Sequence, residues 1–426
     1  MLIEETDVLI VGAGPTGLAA SIELKRQGVA RVLVVDREEE AGGVPRFCHH
    51  VGFGIWDRRR LYSGPAYAFR YRQEALKSGV RLLTSTTVTD WLDTRDVAFT
   101  SPKGLGQIEA RAILLATGCR ERPRAARLVP GSRPNGIFTT GSLQRFVYEQ
   151  GLPVGKRALI VGAELVSLSA LTTLLHAGVK SVAMITELPG HQIHMPYLPA
   201  KWFYADVRTR TPILTGLRLV RVYGRQRVEG VELADVESDR RQTVECDTLV
   251  FTGDWVPENE LARRGKLAID GGTSGPQIDS SYRTSSPGVF AAGNLLHGAE
   301  TADASALEGR RTAGKIAHYL NEGQWPKEHL TVCVESPLSW VYPNTVAAEE
   351  LPRHAGGRFT FYFRVNEFLR HASLAVLQDD RYLFSQKFRF LGPGKSYRLV
   401  GTWPGIVTPD QGPLHVRLLA NAPQNT

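Results

Sequence analysis

The chain has 426 residues, of which 42% are hydrophobic and 22% are charged, values that are typical of a globular enzyme with two or three domains. Its formal net charge of +8 is modest for this length and its arginines are scattered, so we expect no nucleic-acid partner. No apolar run approaches the ~20 residues of a membrane-spanning helix, and no signal-peptide pattern opens the chain. These features predict a cytoplasmic protein without a membrane span.

A dinucleotide-binding pattern opens the chain. A predicted buried strand ends at the turn Gly12-x-Gly14-x-x-Gly17, which begins a helix, and a second apolar strand ends at Asp36. In this pattern the first glycine permits a tight turn, the second lets a pyrophosphate approach the backbone, and the third lets helix and strand pack closely. A carboxylate at the end of the second strand can bind the hydroxyl pair of an adenosine ribose. The segment therefore predicts one intact dinucleotide site.

A second copy of this unit, in residues 156–187, departs from the pattern. When the two copies are aligned on Gly162, the second and third glycine positions hold Glu164 and Ser167. A glutamate at this position adds bulk and negative charge, and two like charges about 4 Å apart repel by roughly 4 kcal/mol at an effective dielectric constant of 20. We interpret the second site as inactive. The alternative is a shifted turn that still binds NAD(P).

The order of the predicted elements indicates an α/β protein with two Rossmann-like dinucleotide-binding domains, the second inserted into the first. The first domain is predicted to consist of residues 1–152 and 253–328, and the second, degenerate domain to consist of residues 153–252. Short β-rich runs separated by turn residues follow. They predict a C-terminal β-sandwich or small barrel over residues 329–426.

Cysteine spacing limits the redox and metal chemistry of the chain. The four cysteines are far apart in the sequence: Cys48, Cys119, Cys246 and Cys333. No CxxC pair occurs, which argues against a dithiol pair, an iron–sulfur cluster and a cysteine zinc site within this chain. His191 and His194 have the spacing of a ligand pair on a helix, but Pro189 and Pro196 flank them and favour a loop. We therefore expect no metal site.

Four motifs together resemble those of a known family. They are GAGPTG at 12–17 with Asp36, the pair Gly42-Gly43, LLATG at 114–118, and GVFAAGN at 288–294. Over about residues 5–320 the chain resembles the two-dinucleotide-fold flavoproteins, the pyridine nucleotide–disulfide oxidoreductase-like group. The resemblance implies FAD in the first domain, held by these residues: Gly12, Gly14, Pro15, Thr16, Gly17, Asp36, Arg37, Gly43, Val44, Val88, Ala116, Thr117, Gly118, Gly293, Asn294, Thr301 and Ala302. Many relatives have aspartate at the position of Asn294, which can still donate and accept hydrogen bonds.

Two segments, 42–70 and 291–303, resemble a narrower subgroup. It contains the flavoprotein partners of anaerobic glycerol-3-phosphate dehydrogenases and, more distantly, the larger subunits of opine oxidases, dye-linked proline dehydrogenases and hydrogen cyanide synthase. This resemblance implies a second flavoprotein subunit, an iron–sulfur subunit, or both as partners. Glu164 and Ser167 break the NAD(P) motif, and the C-terminal β domain is outside the subgroup's pattern, so its role stays open.

Three side chains are candidates for chemistry near the flavin. Cys48 and His49 follow the Gly42-Gly43 turn and could act as an adduct-forming thiol or a proton donor, the alternative being a packing role. His297 lies in the turn after GVFAAGN and is a weaker candidate. Thr301 or Asp303 could cap the last helix, whose dipole would then point at the flavin.

The sequence favours an FAD-dependent oxidoreductase, the larger subunit of a multi-subunit dehydrogenase or oxidase. Its small-molecule substrate is expected to be an amine, amino acid or hydroxy compound, oxidised on this chain or on a partner, and its electrons pass to that partner. One alternative is a stand-alone NAD(P)H-dependent flavin oxidoreductase. The other is a scaffold subunit in which FAD is structural.

Overall fold

The computed structural model describes residues 2–351, 358–379, 381–402, 407–408 and 411–419. The end of the predicted C-terminal domain, 420–426, lies outside the described residues. Before the second glycine-rich turn, the chain forms these elements: β1 (Leu2–Val11), α1 (Pro15–Arg26), β2 (Val32–Val35), β3 (Val51–Phe53), β4 (Tyr62–Ser63), α2 (Gly64–Lys77), β5 (Arg81–Leu83), β6 (Thr87–Trp91), β7 (Asp96–Ser101), β8 (Gly104–Leu115), β9 (Cys119–Glu121), β10 (Ile137–Thr139) and α3 (Thr140–Gln144).

The middle of the chain follows the same strand–helix order and then becomes strand-rich. Its elements are β11 (Arg157–Val161), α4 (Leu165–His176), β12 (Lys180–Ile185), α5 (Leu198–Lys201), β13 (Ile213–Leu214), β14 (Leu217–Gly224), β15 (Val228–Asp235), β16 (Arg241–Glu245), β17 (Thr248–Phe251), β18 (Trp255–Pro257), α6 (Glu260–Arg264), β19 (Val289–Ala291) and α7 (Ala302–Glu322). The last part consists of β20 (His329–Val334), β21 (Leu338–Tyr342), β22 (Thr345–Ala347), β23 (Phe359–Val365), β24 (Leu369–Gln378), β25 (Arg381–Leu391), β26 (Tyr397–Gly401) and β27 (Leu414–Leu418).

The first sheet has the arrangement of a dinucleotide-binding domain. Its strands have the order β5-β2-β1-β8-β7-β6, and β19 pairs in parallel with β8. Strand β2 and the last four residues of both β1 and β8 are buried and apolar, as parallel strands covered by helices require. Because β1, β8 and β19 are parallel, the turns after them meet at one edge of the sheet. This edge therefore brings together three of the four predicted motifs, those that follow β1, β8 and β19.

The second sheet is parallel throughout, with the order β10-β17-β11-β12-β13. Its edge strand, β10, comes from residues that the sequence assigns to the first domain, and Leu143 of α3 is buried in the core of the second sheet. Strand β10 has three residues and no sequence motif, so its place in the second sheet is known only from its pairing with β17. Two linker strands, β9 and β18, pair with each other where the chain passes between the two sheets.

The C-terminal region forms two sheets with a shared apolar core, in the orders β22-β20-β27-β24-β25 and β21-β23-β26. This confirms a strand-rich domain after two dinucleotide folds. Trp340 and Tyr342 of β21 are not part of its own core but pack into the core of the first sheet. The side chain of Asn344 also accepts a hydrogen bond from Ile278 N at 2.7 Å. The β domain is therefore joined closely to the first domain.

Helices α1 and α7 pack tightly at a glycine. A Cβ at Gly309 would lie 2.2 Å from Thr16 O, whereas a Cβ at Gly314 of the same helix would meet only Gln27 Nε2, at 3.7 Å. We expect Gly309→Ala to lower the free energy of unfolding by roughly 1–3 kcal/mol, because a backbone oxygen must move. Gly314→Ala is the matched control and should be neutral or stabilising by up to about 1 kcal/mol, from helix propensity. Urea unfolding of both variants tests this, and equal midpoints would contradict the packing argument.

Candidate functional site

The first glycine-rich turn is built to receive a ligand. A Cβ at Gly12 would lie 2.3 Å from Ala116 O, and a Cβ at Gly17 would lie 1.9 Å from Gly12 O, so both positions require glycine for backbone packing. A Cβ at Gly14, in contrast, would meet no protein atom within 4 Å. The open space over Gly14 is the cradle that the backbone offers to a pyrophosphate. The fingerprint therefore has the geometry that a dinucleotide needs.

The start of α1 and the side chain of Asp36 complete this turn. Helix α1 begins with Gly14 as its N-cap, and no side chain caps the helix, so its first N–H groups are open to a ligand. The Asp36 carboxylate accepts hydrogen bonds from Ala13 N at 2.6 Å and Glu38 N at 2.9 Å. Burial raises the pKa of Asp36, although these two backbone donors oppose the shift. The carboxylate is thus held at the mouth of the turn.

A cleft of about 1220 Å³ extends from this turn between all three parts of the chain. Ligand pockets usually span roughly 300–1,000 Å³, so the cleft has room for a dinucleotide and for part of a second molecule. Most of the residues that the resemblance assigned to FAD line it: Gly12, Gly14, Pro15, Thr16, Asp36, Arg37, Gly43, Val44, Ala116, Thr117, Gly118, Asn294, Thr301 and Ala302.

Three of the predicted FAD residues do not line the cleft. Gly17 packs against Gly12, and a Cβ at Gly293 would lie 2.2 Å from Thr16 Oγ1. Both glycines therefore contact residues that line the cleft without lining it themselves. Val88 lies on β6, pairs with Phe99, packs against the core of the first sheet and does not line the cleft. Its contact with FAD therefore stays a prediction from the resemblance.

Asn294 uses one half of its amide for the fold. Its Oδ1 atom accepts hydrogen bonds from Glu300 N and from Ser305 Oγ, both at 3.0 Å. The carbonyl oxygen is therefore engaged in shaping the 294–305 turn. The amide nitrogen is the group that Asn294 can offer to a ligand. Asn294 can therefore donate a hydrogen bond to the cofactor, while its acceptor oxygen is already used.

The N-terminus of α7 is capped by Thr301, whose Oγ1 accepts from Ala304 N at 3.3 Å. Asp303 has a different role, because its carboxylate accepts from Gly54 N and Trp56 N, both at 2.7 Å. Burial raises the pKa of Asp303. The cap predicted at Thr301 is therefore present, and Asp303 fastens the 54–56 loop over the beginning of the helix. The positive end of the α7 dipole faces the cleft.

The three candidates for chemistry have different surroundings. Cys48 lines the cleft, but burial raises the pKa of its thiol to about 12, so the thiolate that an adduct requires is scarce near neutral pH. His49 is exposed, stacks on Tyr148 at 4.0 Å between ring centroids and does not line the cleft, so its placement does not support the predicted role, which stays a prediction. Its neighbour His50 lines the cleft instead, and burial lowers the pKa of that imidazole.

His297 lines the cleft, and both of its ring nitrogens and one face of its ring contact other protein groups. Its Nε2 lies 3.2 Å from Glu308 Oε2 and its Nδ1 lies 3.2 Å from Gly298 O. Its ring also stacks on Tyr342 of the β domain, with 4.7 Å between centroids. With both ring nitrogens partnered, His297 fits a structural role better than the predicted catalytic one.

The second glycine-rich turn is filled by its own side chain. The two carboxylate oxygens of Glu164 lie 2.8 Å from the position of a Cβ on Gly162, and Oε1 lies 2.8 Å from that of a Cβ on Gly253. Glu164 is also the N-cap of α4, and its N–H donates to Ser167 Oγ at 3.2 Å. A carboxylate thus lies against the helix N-terminus where a pyrophosphate binds in an intact fingerprint. The residues of this turn do not fit a nicotinamide dinucleotide.

Burial raises the pKa of Glu164, and its Oε1 accepts no hydrogen bond within the part of the chain that the structure describes. The nearby Arg127 guanidinium partly offsets this shift in pKa, while its Nη2 donates to Gly253 O at 2.7 Å. A second anion at this turn would have to displace or repel the carboxylate. At α1, in contrast, no side chain caps the helix and the turn is open to a ligand.

Several residues that line the cleft were not identified from the sequence. Cys119 follows the 116–118 turn, and burial raises its pKa to about 12. His194 comes from the second domain, and Arg364, Lys395 and Ser396 come from the β domain. None of these residues belongs to a motif, and the β domain lay outside the resemblance. Cys119 could have been found from its place directly after the 114–118 motif, whereas Arg364, Lys395 and Ser396 reach the cleft only through the docking of the β domain on the first domain.

These features define a class of protein: a two-dinucleotide-fold flavoprotein with one open nucleotide turn. The chain belongs to the pyridine nucleotide-disulphide oxidoreductase family, whose profile matches residues 6–309. It is an FAD-dependent oxidoreductase. No helix in the described part of the chain is long and apolar enough to cross a membrane.

The chain is similar to an opine oxidase subunit of Agrobacterium tumefaciens (strain Ach5), with 27% identity over 73% of this chain and 64% of that protein. It is 24% identical to the glutamate synthase (NADPH) small chain of Escherichia coli (strain K12), over 74% of this chain and 68% of that protein. Similarity to the alpha subunit of sarcosine oxidase of Corynebacterium sp. (strain P-1) reaches 30% over 62% of this chain and 28% of that protein. The matches to two opine oxidase subunits span less than two thirds of their length.

Solved structures share the fold. Thioredoxin reductase of T. acidophilum superimposes with a TM-score of 0.61 and 20% identity, over 74% of this chain and 98% of that one. L-proline dehydrogenase of P. horikoshii gives a TM-score of 0.53 and 18% identity, over 75% of this chain and 57% of that one. At these identities the superpositions support the arrangement of the two dinucleotide folds and no more.

Proposed function

We propose that FAD binds along the cleft with its pyrophosphate over Gly14 and its adenosine ribose at Asp36. The amide nitrogen of Asn294 would donate to the cofactor, and the N-terminus of α7 would face its flavin end. When bound, FAD supplies an acceptor for a hydride or for single electrons. The chain's own part is to bind and orient the cofactor, and the dipole of α7 favours negative charge beside its N-terminus.

We further propose that the chain is the larger subunit of a multi-subunit dehydrogenase or oxidase that acts on a small amine, amino acid or hydroxy compound. The observation that carries this proposal is the Glu164 carboxylate at the start of α4. A flavin whose neighbouring nucleotide turn is filled needs another source of electrons, and a small substrate is the simplest source. Relatives named as subunits of opine oxidase and sarcosine oxidase support a partner.

One alternative has specific support. The similarity to a glutamate synthase (NADPH) small chain favours an NAD(P)H-dependent flavin oxidoreductase. Glu164 opposes it, because its charge and bulk lie where that nucleotide would have to bind. A scaffold role with structural FAD is less favoured, because the cleft is large and its rim carries exposed apolar side chains such as Trp56 and Met195.

The experiment that tests the proposal is purification of the chain from its own cells, with its natural partners attached. Cofactor content, subunit ratio and dye reduction by a panel of amines, amino acids and hydroxy acids are measured on the complex and on the isolated chain. We expect substrate-dependent dye reduction by the complex, with the isolated chain retaining FAD but turning over slowly. Full-rate oxidation by the isolated chain, or oxidation of NAD(P)H instead of the panel, would contradict the proposal.

A further inference from the structure

One end of the cleft is formed by the C-terminal β domain. Trp340 of β21, Arg364 of β23 and the 393–396 loop between β25 and β26 line it, opposite the turn that precedes α7. The family match ends at residue 309, so these residues belong to a part of the chain that the family leaves undescribed. What they could bind follows from their contacts and charges.

A polar cluster holds this end of the cleft in place. Arg364 Nη2 donates to Glu300 Oε1 at 2.7 Å and to Ala299 O at 3.3 Å, and the guanidinium lies 5.2 Å from the centroid of Trp340. The hydroxyl of Ser396 also donates to Glu300 Oε1. Arg364 Nε is buried and has no hydrogen-bond acceptor among the described residues. A cation with a buried, unused Nε donor therefore lies beside the beginning of α7.

A second cation, Lys395, lies in the 393–396 loop next to this cluster. Within the described residues no carboxylate lies within ion-pair distance of Lys395, and its Nζ lies 5.0 Å from the Tyr397 ring centroid. His194 of the second domain completes the group, with a buried Nδ1 that has no partner among the described residues. Burial lowers the pKa of His194, and the charges of Lys395 and Arg364 lower it further. These charges therefore act on the same part of the cleft.

The three charged side chains named as shifting the pKa of His194 are Lys395, Glu300 and Arg364, of which two are positive and one is negative. Asp303 adds a further negative charge to the cleft lining, where its carboxylate accepts hydrogen bonds from the N–H groups of Gly54 and Trp56. Glu300 is paired with Arg364, so Lys395 is the cation of this group that has no carboxylate within ion-pair distance among the described residues. A cation in this position, in a partly enclosed cleft, favours an anionic ligand group.

We propose that Lys395 and Arg364 of the β domain bind the carboxylate of a small organic acid at this end of the cleft. The inference rests on the proposed function and narrows it, because it makes the substrate an amino or hydroxy acid instead of a neutral amine or alcohol. Trp56 and Met195, which line the cleft and are largely exposed, would cover the apolar part of the acid. The β domain thus takes a direct part in the site and is more than a docking module.

The test measures ligand binding to the FAD-containing chain, with no turnover. The probes are propanoate and its neutral isostere propanamide, followed by calorimetry and by the change in the flavin absorption spectrum. We expect propanoate to bind at least about tenfold more tightly than propanamide, as a charge-assisted hydrogen bond predicts. Lys395→Met should remove that preference, and Lys395→Arg should keep most of it. Lys387→Met, at an exposed position of β25 in the same domain, is the matched control and should behave like the wild type.

Equal affinity for the two probes would overturn the inference, as would unchanged propanoate binding in Lys395→Met. Loss of FAD from Lys395→Met would overturn it too, because Lys395 would then serve the cofactor. The outcome is separable from that of the proposed function. A complex that oxidises a neutral amine, with no propanoate binding, would leave the function standing and remove the acid site. If propanoate binding depends on Lys395 but the chain is found to have no partner subunit, the acid site would stand and the proposed multi-subunit function would fall.

Discussion

Replacement of Gly14 by glutamate is expected to give a folded protein that retains no FAD. A Cβ at this position would meet no protein atom within 4 Å, so a side chain can begin here in the apoprotein and project into the space meant for a pyrophosphate. Repulsion between like charges about 4 Å apart is worth roughly 4 kcal/mol at an effective dielectric constant of 20, which is near a thousandfold in affinity. The ratio of flavin to protein absorbance after purification measures the loss, and circular dichroism verifies the fold.

Gly271→Glu is a suitable control for this variant. Gly271 is exposed, has no neighbouring atom within 4 Å of the position of a Cβ and does not line the cleft. The control should therefore keep its FAD and its stability. Full flavin content in Gly14→Glu would show that the cofactor lies elsewhere.

NADH and NADPH are expected to leave the flavin of the wild-type chain oxidised. The Glu164 carboxylate lies over Gly162 at the start of α4, and a pyrophosphate there would meet both its bulk and its charge. Glu164→Gly removes both obstacles, and we expect it to bind NADH at least about tenfold more tightly than the wild type. Glu164→Gln keeps the bulk and removes the charge, so an intermediate affinity would apportion the two effects.

Anaerobic stopped-flow mixing measures the flavin band after addition of either nucleotide, and calorimetry measures nucleotide affinity in the three proteins. Rapid bleaching of the wild-type band at micromolar nucleotide would revive the NAD(P)H-dependent alternative. Failure of Glu164→Gly to gain affinity, with its FAD retained, would show that more than this one side chain closes the site.

Much of the first domain could be predicted because its signals are local. The turn from Gly12 to Gly17, the strand ending at Asp36 and the motifs at 114–118 and 288–294 each occupy a few consecutive residues. Parallel strands then bring their ends to one edge of the sheet. The α/β class and the strand-rich end of the chain followed from the sequence patterns, and the FAD cofactor followed from the family resemblance of these motifs. The cap at Thr301 followed from the residue type that begins α7.

Side-chain direction and contacts between distant segments could not be predicted in this way. The sequence puts Cys48, His49 and His50 in one row, but the fold turns His49 outward onto Tyr148 and His50 into the cleft. The sequence places Glu164 at a glycine position, but only the structure shows its carboxylate against the helix N-terminus. β10 carries no signal of its sheet, because its pairing with β17 is a long-range contact.

The residues alone predict one intact dinucleotide turn, because the motif combines local backbone geometry with the residues that a dinucleotide needs, and the resemblance of the four motifs to a flavoprotein family implies FAD. What the C-terminal domain contributes depends on the folded chain. Arg364 and Lys395 meet His194 and Glu300 through the docking of Trp340 and Tyr342 on the core of the first domain. The residues of such a site are far apart in the chain and show no recognisable spacing in the sequence. They meet because the burial of Trp340 and Tyr342 in the first domain brings the β domain against the cleft.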